Sequence, residues 1–241
     1  MNTIVLPTYN ERDNLRHALE RIREVADGND LQLHTLIVDD SSPDGTGELA
    51  DRLAGEYPDV EVLHRGAKEG LGKAYIAGFR HALAGGADLL FEMDADLSHD
   101  ASYLPHFVRV IEQGADVVLG SRYVRGGGVE NWTLSRRAIS RGGCLYAQAI
   151  LGLPYRDLTG GFKCFRRGVL EAIDLDAIDV KGYGFQIEMT YRAHQLGFAI
   201  VELPIIFVDR KVGESKMSND IVVEAMLAVW RLRLARGARH A

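Results

Sequence analysis

The sequence predicts an α/β domain: a mostly parallel central sheet with helices on both faces. Three observations carry this. Short apolar runs alternate with segments of helical periodicity, the pattern that parallel pairing through right-handed crossovers produces. Polar residues gather where successive apolar runs end, at Pro7 to Glu11, Asp39 and Asp40, Asp94 and Asp96, and Ser121 and Arg122. In sheets of this kind ligands bind outside the carboxyl ends of the strands. Finally, 241 residues at 46% hydrophobic content supply apolar material for one large core.

The elements follow in order. "TIVLP" is a short buried strand. "NERDNLRHALERIREV" is a helix with Leu15, Leu19, Ile22 and Val25 on one face and Asn10 as its expected N-cap. "LQLHTLIVDD" is the second strand, and a second helix starts near Thr46. "VEVLHR" is the third strand. "GLGKAYIAGFRHALAGG" is a helix whose Leu71, Tyr75, Gly78, Phe79 and Ala82 share a face, with Lys73 near the rim. "DLLFEMDAD", "SYLPHFVRVIEQG" and "ADVVLGSRY" are the fourth strand, a helix and the fifth strand. Beyond Tyr123, glycines 126 to 128 read as a flexible turn before another helix. "DLTGGFKCFRRGVLEAI", "GYGFQIEMTYRAHQLG" and "AIVELPIIF" read as a layer added on the acceptor side, and "VDRKVGESKMS" as a basic loop. The chain shows no internal repeat, so residues 1–218 form one domain and residues 219–241 a C-terminal amphipathic helix.

Composition excludes several classes. A net charge of −6 argues against a duplex nucleic-acid binder. Cys144 and Cys164 lack metal-ligand spacing, and the N-terminal segment does not read as a secretory leader, so a reducing cytoplasmic setting is expected. No apolar stretch reaches the ~20 residues of a spanning helix. The first strand–helix turn, "PTYNE", contains no glycine for a dinucleotide pyrophosphate, and "GAKEGLGKA" lacks the P-loop spacing.

"FEMDADLSHD" brings a buried strand directly into Asp94, Asp96 and Asp100. Crowded carboxylates repel, so a cation is expected between them. Asp94 and Asp96, separated by small Ala95, suit one hard ion, Mg2+ or Mn2+, which takes carboxylate and diphosphate oxygens. Asp100 reads as a cap of the next helix, His99 as a packing residue and Ser98 as a weak additional contact. Of Asp39 and Asp40, one is expected to point into the fold and Asp40 to meet a nucleotide.

Taken together, "PTYNE", "VDDSSPDGT", "MDADLSH", "GSRYVRGG", "DLTGGFKCFR", "GYGFQIEM" and "FVDRKVGESKMS" resemble the polyprenyl-phosphate (dolichyl-phosphate) mannose synthases, inverting family 2 glycosyltransferases of GT-A (Rossmann-like) fold. The resemblance runs from Thr3 to about Ser218. It implies that Pro7, Tyr9 and Glu11 hold the base and ribose, with Val38 and Asp40 closing on the base. Asp94, Ala95 and Asp96 would line the metal and diphosphate. Arg122 would face the sugar or phosphates, and Arg210 and Lys216 the phosphates. Asp94, Asp96, Arg122 and Arg210 are the implied catalytic set. Ser98 stands where some members have a glutamine ligand, which leaves a third side-chain ligand in question.

The implied reaction is mannose transfer from GDP-mannose to a polyprenyl phosphate. The alternatives are another donor such as UDP-glucose, another acceptor, or a catalytically silent nucleotide-sugar-binding subunit. Because a phosphate monoester is already largely dianionic at neutral pH, no indispensable general base is expected. Arg136 or Arg137 would grip the lipid phosphate. Val222, Met226, Val229, Trp230 and Leu234, followed by arginines, suggest a helix lying on a membrane surface, with the enzyme peripheral on the cytoplasmic face and a separate anchor protein as a further potential partner.

Overall fold

The computed structural model describes residues 1–180, 182–209 and 219–238, with the side chains of 219–223 and 235–238 excepted. Arg210 and Lys216 therefore lie outside the described residues.

Strands β1 (Asn2–Thr8), β2 (Leu33–Asp39), β3 (Val60–His64), β4 (Leu89–Glu92) and β5 (Val117–Ser121) alternate with helices α1 (Arg12–Gly28), α2 (Thr46–Glu56), α3 (Leu71–Ala84) and α4 (Leu104–Glu112). After β5 come β6 (Gly128–Glu130), α5 (Leu134–Leu151), β7 (Lys163–Arg166), α6 (Arg167–Ala172), α7 (Gly182–Gln195), β8 (Ile200–Pro204), β9 (Ile206–Val208) and α8 (Asn219–Ala238). The main sheet has the order β3-β2-β1-β4-β7-β5-β8. All its pairs are parallel except those of β7, which runs antiparallel between β4 and β5. The strand order reverses between β1 and β4, so the crevice for a ligand opens there.

Strand alternation sends side chains to two cores. Ile4 and Leu6 pack on one face with Leu15, Leu19 and Ile22 of α1 and Phe107 of α4, while Val5 packs on the other with Tyr75 and Phe79 of α3 and Phe185 of α7. A third apolar cluster joins α5, α7 and α8 through Ala147, Leu151, Ile187, Tyr191 and Val229. Cys144 and Cys164 are free and buried, and burial raises the pKa of both thiols.

Several expectations need correction. "DLTGGFKCFR" is not an added layer: its strand β7 occupies the middle of the sheet. "AIVELPIIF" divides into β8, an edge strand of that sheet, and β9, which pairs with β6 in a separate two-stranded ribbon. Asn10 does not cap α1; Glu11 occupies the N-cap position, and Asn10 sits at φ 58° with its N–H donating to Ser42 Oγ. Leu71 lies outward, although Tyr75, Gly78, Phe79 and Ala82 are buried as expected. Glycines 126 to 128 form a tight corner, where a Cβ on Gly127 would come within 2.4 Å of the Ser121 carbonyl oxygen.

Gly78 lets α3 approach the sheet closely, since a Cβ there would stand 2.4 Å from Val5 Cγ1 and 3.0 Å from Val38 Cγ2. Overpacking a filled core costs about 1–3 kcal/mol. Gly78→Ala is expected to lower the free energy of urea unfolding by that amount. An unchanged midpoint would show that α3 can move away freely.

Candidate active site

The rim is built at the ends of β1, β2, β4 and β5. In three of its turns one non-glycine residue adopts a left-handed backbone: Asn10 (φ 58°), Ser41 (φ 56°) and Leu97 (φ 64°). Asn tolerates this; leucine does not readily, and such strain clusters at functional sites. At Leu97 the bend returns the Ser98 N–H to Asp96 Oδ1 at 3.1 Å.

Both adjacent aspartates are buried. Asp39 points into the fold, accepting from Thr8 Oγ1 at 3.1 Å, the Ser42 N–H at 3.1 Å and Ser42 Oγ at 2.6 Å. Asp40 is ion-paired with Arg65. Its burial raises its pKa, with the Arg65 charge working in the opposite direction. Pro7 is the penultimate residue of β1, and the Tyr9 ring lies beneath Lys68 Nζ, 3.7 Å from its centroid. Glu11 accepts from Asn14 Nδ2 at 2.9 Å, while its own N–H donates to Thr46 Oγ1 at 3.0 Å. The Val38 side chain is fully buried in the core, so only its backbone is placed to meet a ligand.

Asp94 is half-buried and its Oδ1 accepts from Tyr75 Oη at 3.2 Å. Tyr75 stacks on Phe185 and Phe79, so the aromatic core fixes the carboxylate from below. Burial, followed by the Asp94 charge, raises the Tyr75 pKa well above normal, and the hydroxyl remains a donor. Asp96 and Ala95 are buried. His99 Nδ1 lies 4.0 Å from Asp94 Oδ2 but accepts the Asp94 backbone N–H at 3.2 Å, so that nitrogen carries no proton and no ion pair forms. Burial holds its pKa down to about 4, and its ring stacks on Phe162. His99 is thus a packing residue, and Asp100 caps the following 3-10 turn through Ser102 N–H, both as expected.

Among the described residues no three His, Cys, Asp or Glu side chains converge as a metal cage. The donors present still suit a hard divalent ion: two carboxylates leave the end of β4, and the buried Ser98 Oγ beside them has no hydrogen-bond partner. Such a set needs its remaining oxygens from substrate and water.

Arg122, expected to face the sugar or the phosphates, makes its hydrogen bonds within the protein. It is buried, and its Nε and Nη2 form a fork on Asp157, both at 2.7 Å, while Nη2 also donates to Thr159 Oγ1 at 2.9 Å. Its backbone N–H donates to Asp157 Oδ2 at 2.9 Å. The guanidinium is thus committed to the loop that leads into β7. Sequence reading did not single out Asp157; its position in "DLTGGFK", one of the distinctive motifs, was the available signal. Deeper still, Lys163 donates to the Gln186 carbonyl at 2.7 Å and to Thr190 Oγ1 at 3.1 Å, while Glu92 is fully buried. Burial raises the Glu92 pKa and lowers that of Lys163, and each charge partly offsets the shift of the other.

Beside this rim lies an apolar pocket between α5, α7 and α8. Trp132, Ile139, Ile187 and Val229 line it, together with Arg136, Ser140 and Thr159. Arg136 pairs with Asp209 at 2.6 Å and stacks on Trp132, 4.3 Å from the ring centroid. Arg137 donates to the Val129 carbonyl and does not line the pocket. Because Thr159 accepts from Arg122, the pocket adjoins the Arg122–Asp157 pair.

Residues 3–174 match the model of the family described as Glycosyl transferase family 2. The chain is 52% identical over 231 residues to the undecaprenyl-phosphate mannosyltransferase of Micrococcus luteus, covering 96% of this chain and 93% of that protein. It is 48% identical over 233 residues to the polyprenol monophosphomannose synthase of Mycolicibacterium smegmatis, covering 95% and 86%. In fold it is similar to glucosyl-3-phosphoglycerate synthase from Mycobacterium tuberculosis, solved with Mn2+, UDP-glucose and phosphoglyceric acid, with a TM-score of 0.69 at 18% identity over 97% of this chain and 79% of that one.

Burial opposes ionisation of Asp157, but the Arg122 charge and hydrogen bonds outweigh it and hold its pKa below the usual carboxylate range. A depressed folded-state pKa contributes stability above the unfolded value of about 4, and that contribution is lost as pH falls through the folded value. Asp157→Asn leaves Arg122 buried without a counter-charge and is expected to cost about 3–5 kcal/mol at pH 7. Urea unfolding at pH 7 and pH 3 checks this: the deficit should shrink at pH 3, and an equal deficit at both would refute the ion-pair account.

Proposed function

Since the chain belongs to glycosyltransferase family 2, we propose that it transfers mannose from GDP-mannose to a polyprenyl phosphate, with inversion, giving a β-linked lipid phosphomannose. The observation that carries this reading is the adjacency of two unlike sites: acidic residues at the tip of β4, suited to a metal-bound diphosphate, beside an apolar pocket that includes Arg136. An anionic, water-soluble donor and an acceptor with an apolar tail and phosphate head need such a pair. The names and coverage of the two mannosyl-transferring relatives support the same donor sugar and acceptor class.

In this reading Tyr9, Glu11 and Asp40 hold the nucleoside, with Pro7 and the Val38 backbone shaping its cleft. Asp94 and Asp96, with the Ala95 backbone between them, hold a divalent ion, Mg2+ or Mn2+. When bound, that ion supplies Lewis-acid stabilisation of the departing diphosphate. Tyr75 keeps Asp94 oriented, and Arg122 with Asp157 fixes the wall between the donor and acceptor sides. Arg136 and Ser140 face the acceptor phosphate, while Arg210 and Lys216 are assigned to phosphate contacts by their sequence motif. The acceptor's second pKa is ~6, so it attacks as a dianion and no carboxylate is required as base. What the protein provides is in-line alignment of two anions that would otherwise repel.

The acceptor lies in a bilayer, and the enzyme must reach it. Among the described residues no helix is long and apolar enough to span a membrane. Helix α8 instead divides its residues: Ala225, Ala228 and Val229 are buried toward the domain, whereas Met226, Leu227, Trp230 and Leu234 are exposed. Leu134, Ile139 and Leu145 on α5 are exposed too. Interleaved with Arg137, Arg141, Arg231 and Arg233, these residues form a surface suited to anionic lipid head groups.

Purified protein, polyprenyl phosphate and labelled GDP-mannose with Mg2+ or Mn2+ are expected to move label into the organic phase. Label from UDP-glucose instead, or a product that stays in water, would refute the assignment. Asp94→Asn and Asp96→Asn should each lower kcat by about 100-fold or more, because the metal grip is lost.

Trp230→Glu together with Leu234→Glu should weaken binding to anionic vesicles at least tenfold while transfer to a short, soluble polyprenyl phosphate persists. Undiminished vesicle binding would remove α8 from the membrane surface.

A further inference from the structure

Helix α5 carries two adjacent glycines, Gly142 and Gly143, near its middle. Glycine inside a helix is destabilising relative to alanine, so each needs a reason. Backbone conformation is not one, since neither has a positive φ. Close packing is not one either: a Cβ on Gly142 or on Gly143 would meet nothing within 4 Å. The two differ in what that open space is. Gly143 lines the apolar pocket between α5, α7 and α8, and Gly142 does not. Nothing in the structure explains Gly142.

Helical spacing places Gly143 in the pocket wall. Arg136, Ser140, Gly143 and Tyr146 recur every three or four residues, so they form one stripe of α5 facing the pocket. The stripe changes character along its length. Arg136 and Ser140 make one end polar. At the other end Tyr146 gives its hydroxyl hydrogen to the Met226 carbonyl of α8 at 3.2 Å. Gly143 stands between them, ~10 Å along the helix axis from Arg136. Ile139 and Met226 belong to the same wall and are also exposed, so the pocket opens onto the apolar face of α5 and α8. A cation at one end and an exposed hydrocarbon surface at the other is the polarity order of a lipid phosphate.

We propose that Gly143 is an acceptor-specificity residue: its missing side chain leaves the passage through which the first isoprene units of the polyprenyl phosphate run from the Arg136 end toward the apolar face. This rests on the reading above that the pocket receives the acceptor. A longer side chain at this position projects into the pocket and narrows it where the phosphate gives way to the tail. The helix accepts the cost of glycine in exchange for that clearance.

The test is steady-state kinetics of the full chain with polyprenyl phosphate, GDP-mannose and Mg2+. Wild type is compared with Gly143→Ala, Gly143→Leu, Gly142→Ala and Gly142→Leu; the Gly142 pair adds the same side chains to the same helix outside the pocket. All four variants are expected to melt at or above the wild-type temperature, because alanine and leucine favour helix. Gly143→Leu should raise KM for polyprenyl phosphate about tenfold or more and Gly143→Ala by a smaller factor, with KM for GDP-mannose within about twofold of wild type. The Gly142 variants should keep both constants within about twofold. An unchanged acceptor KM in Gly143→Leu would overturn the proposal, as would an equal rise in Gly142→Leu or a parallel rise for GDP-mannose. A wild type that moves no mannose to polyprenyl phosphate refutes the function proposed above instead. The passage is then decided by titrating the lipid against tryptophan fluorescence in wild type and Gly143→Leu. About tenfold weaker binding in the variant supports it, and equal or undetectable binding in both overturns it.

Discussion

A buried fork between Arg122 and Asp157 is the contact on which the rest of the rim depends. It ties the end of β5 to the loop entering β7, and β7 is the antiparallel strand that separates β4 from β5. The tie continues through the Gly120 N–H, which donates to the Phe162 carbonyl at 2.8 Å, and through Gly160, where a Cβ would press on the Gly120 oxygen at 3.2 Å. Burying two charges is unfavourable unless geometry and additional hydrogen bonds compensate. Here the backbone N–H of Arg122 and the Thr159 hydroxyl provide that compensation. Without the fork, the wall between the acidic strand tip and the apolar pocket would have no fixed position.

The same region spends stability elsewhere. Leu97 is held in a conformation that leucine avoids, Glu92 and Lys163 are buried ionisable groups, and the buried Ser98 Oγ has no hydrogen-bond partner. Each costs on the order of 1–3 kcal/mol, and all sit within one turn of the β4 tip or on the β7 strand beside it. Elsewhere the fold follows local preference: α1 buries Leu15, Leu19, Ile22 and Val25 as its periodicity requires. Stability given up locally beside well-packed aromatic layers is what a preorganised site looks like energetically.

Much of the fold was legible because it is written in two periods, one for helices and one for strands. The first five strands and four helices, the rim at their carboxyl ends, the inward Asp39 and the roles of His99 and Asp100 could be read directly. The central strand β7 was not. "KCFR" is four residues long and sits between a double glycine and a helix, and neither period resolves in so short a run. Its antiparallel direction depends on the long excursion through β6 and α5, a tertiary matter no local pattern encodes. Val38 and Arg122 were placed at the ligand by motif. The structure finds one inside the core and the other held by Asp157, because motif position fixes the backbone but not where a side chain spends its hydrogen bonds.

Cys144 lies in contact with Thr159, and Cys164 sits on β7 in the sheet interior. Both thiols are sealed from solvent and held in the protonated form, hence poor nucleophiles toward maleimides and disulfide reagents. The wild-type chain is therefore a silent background for site-directed labelling. A single cysteine introduced at Met226 or Leu145 would carry a fluorophore or spin label with no competing site, and would report directly on the surroundings of this exposed apolar face.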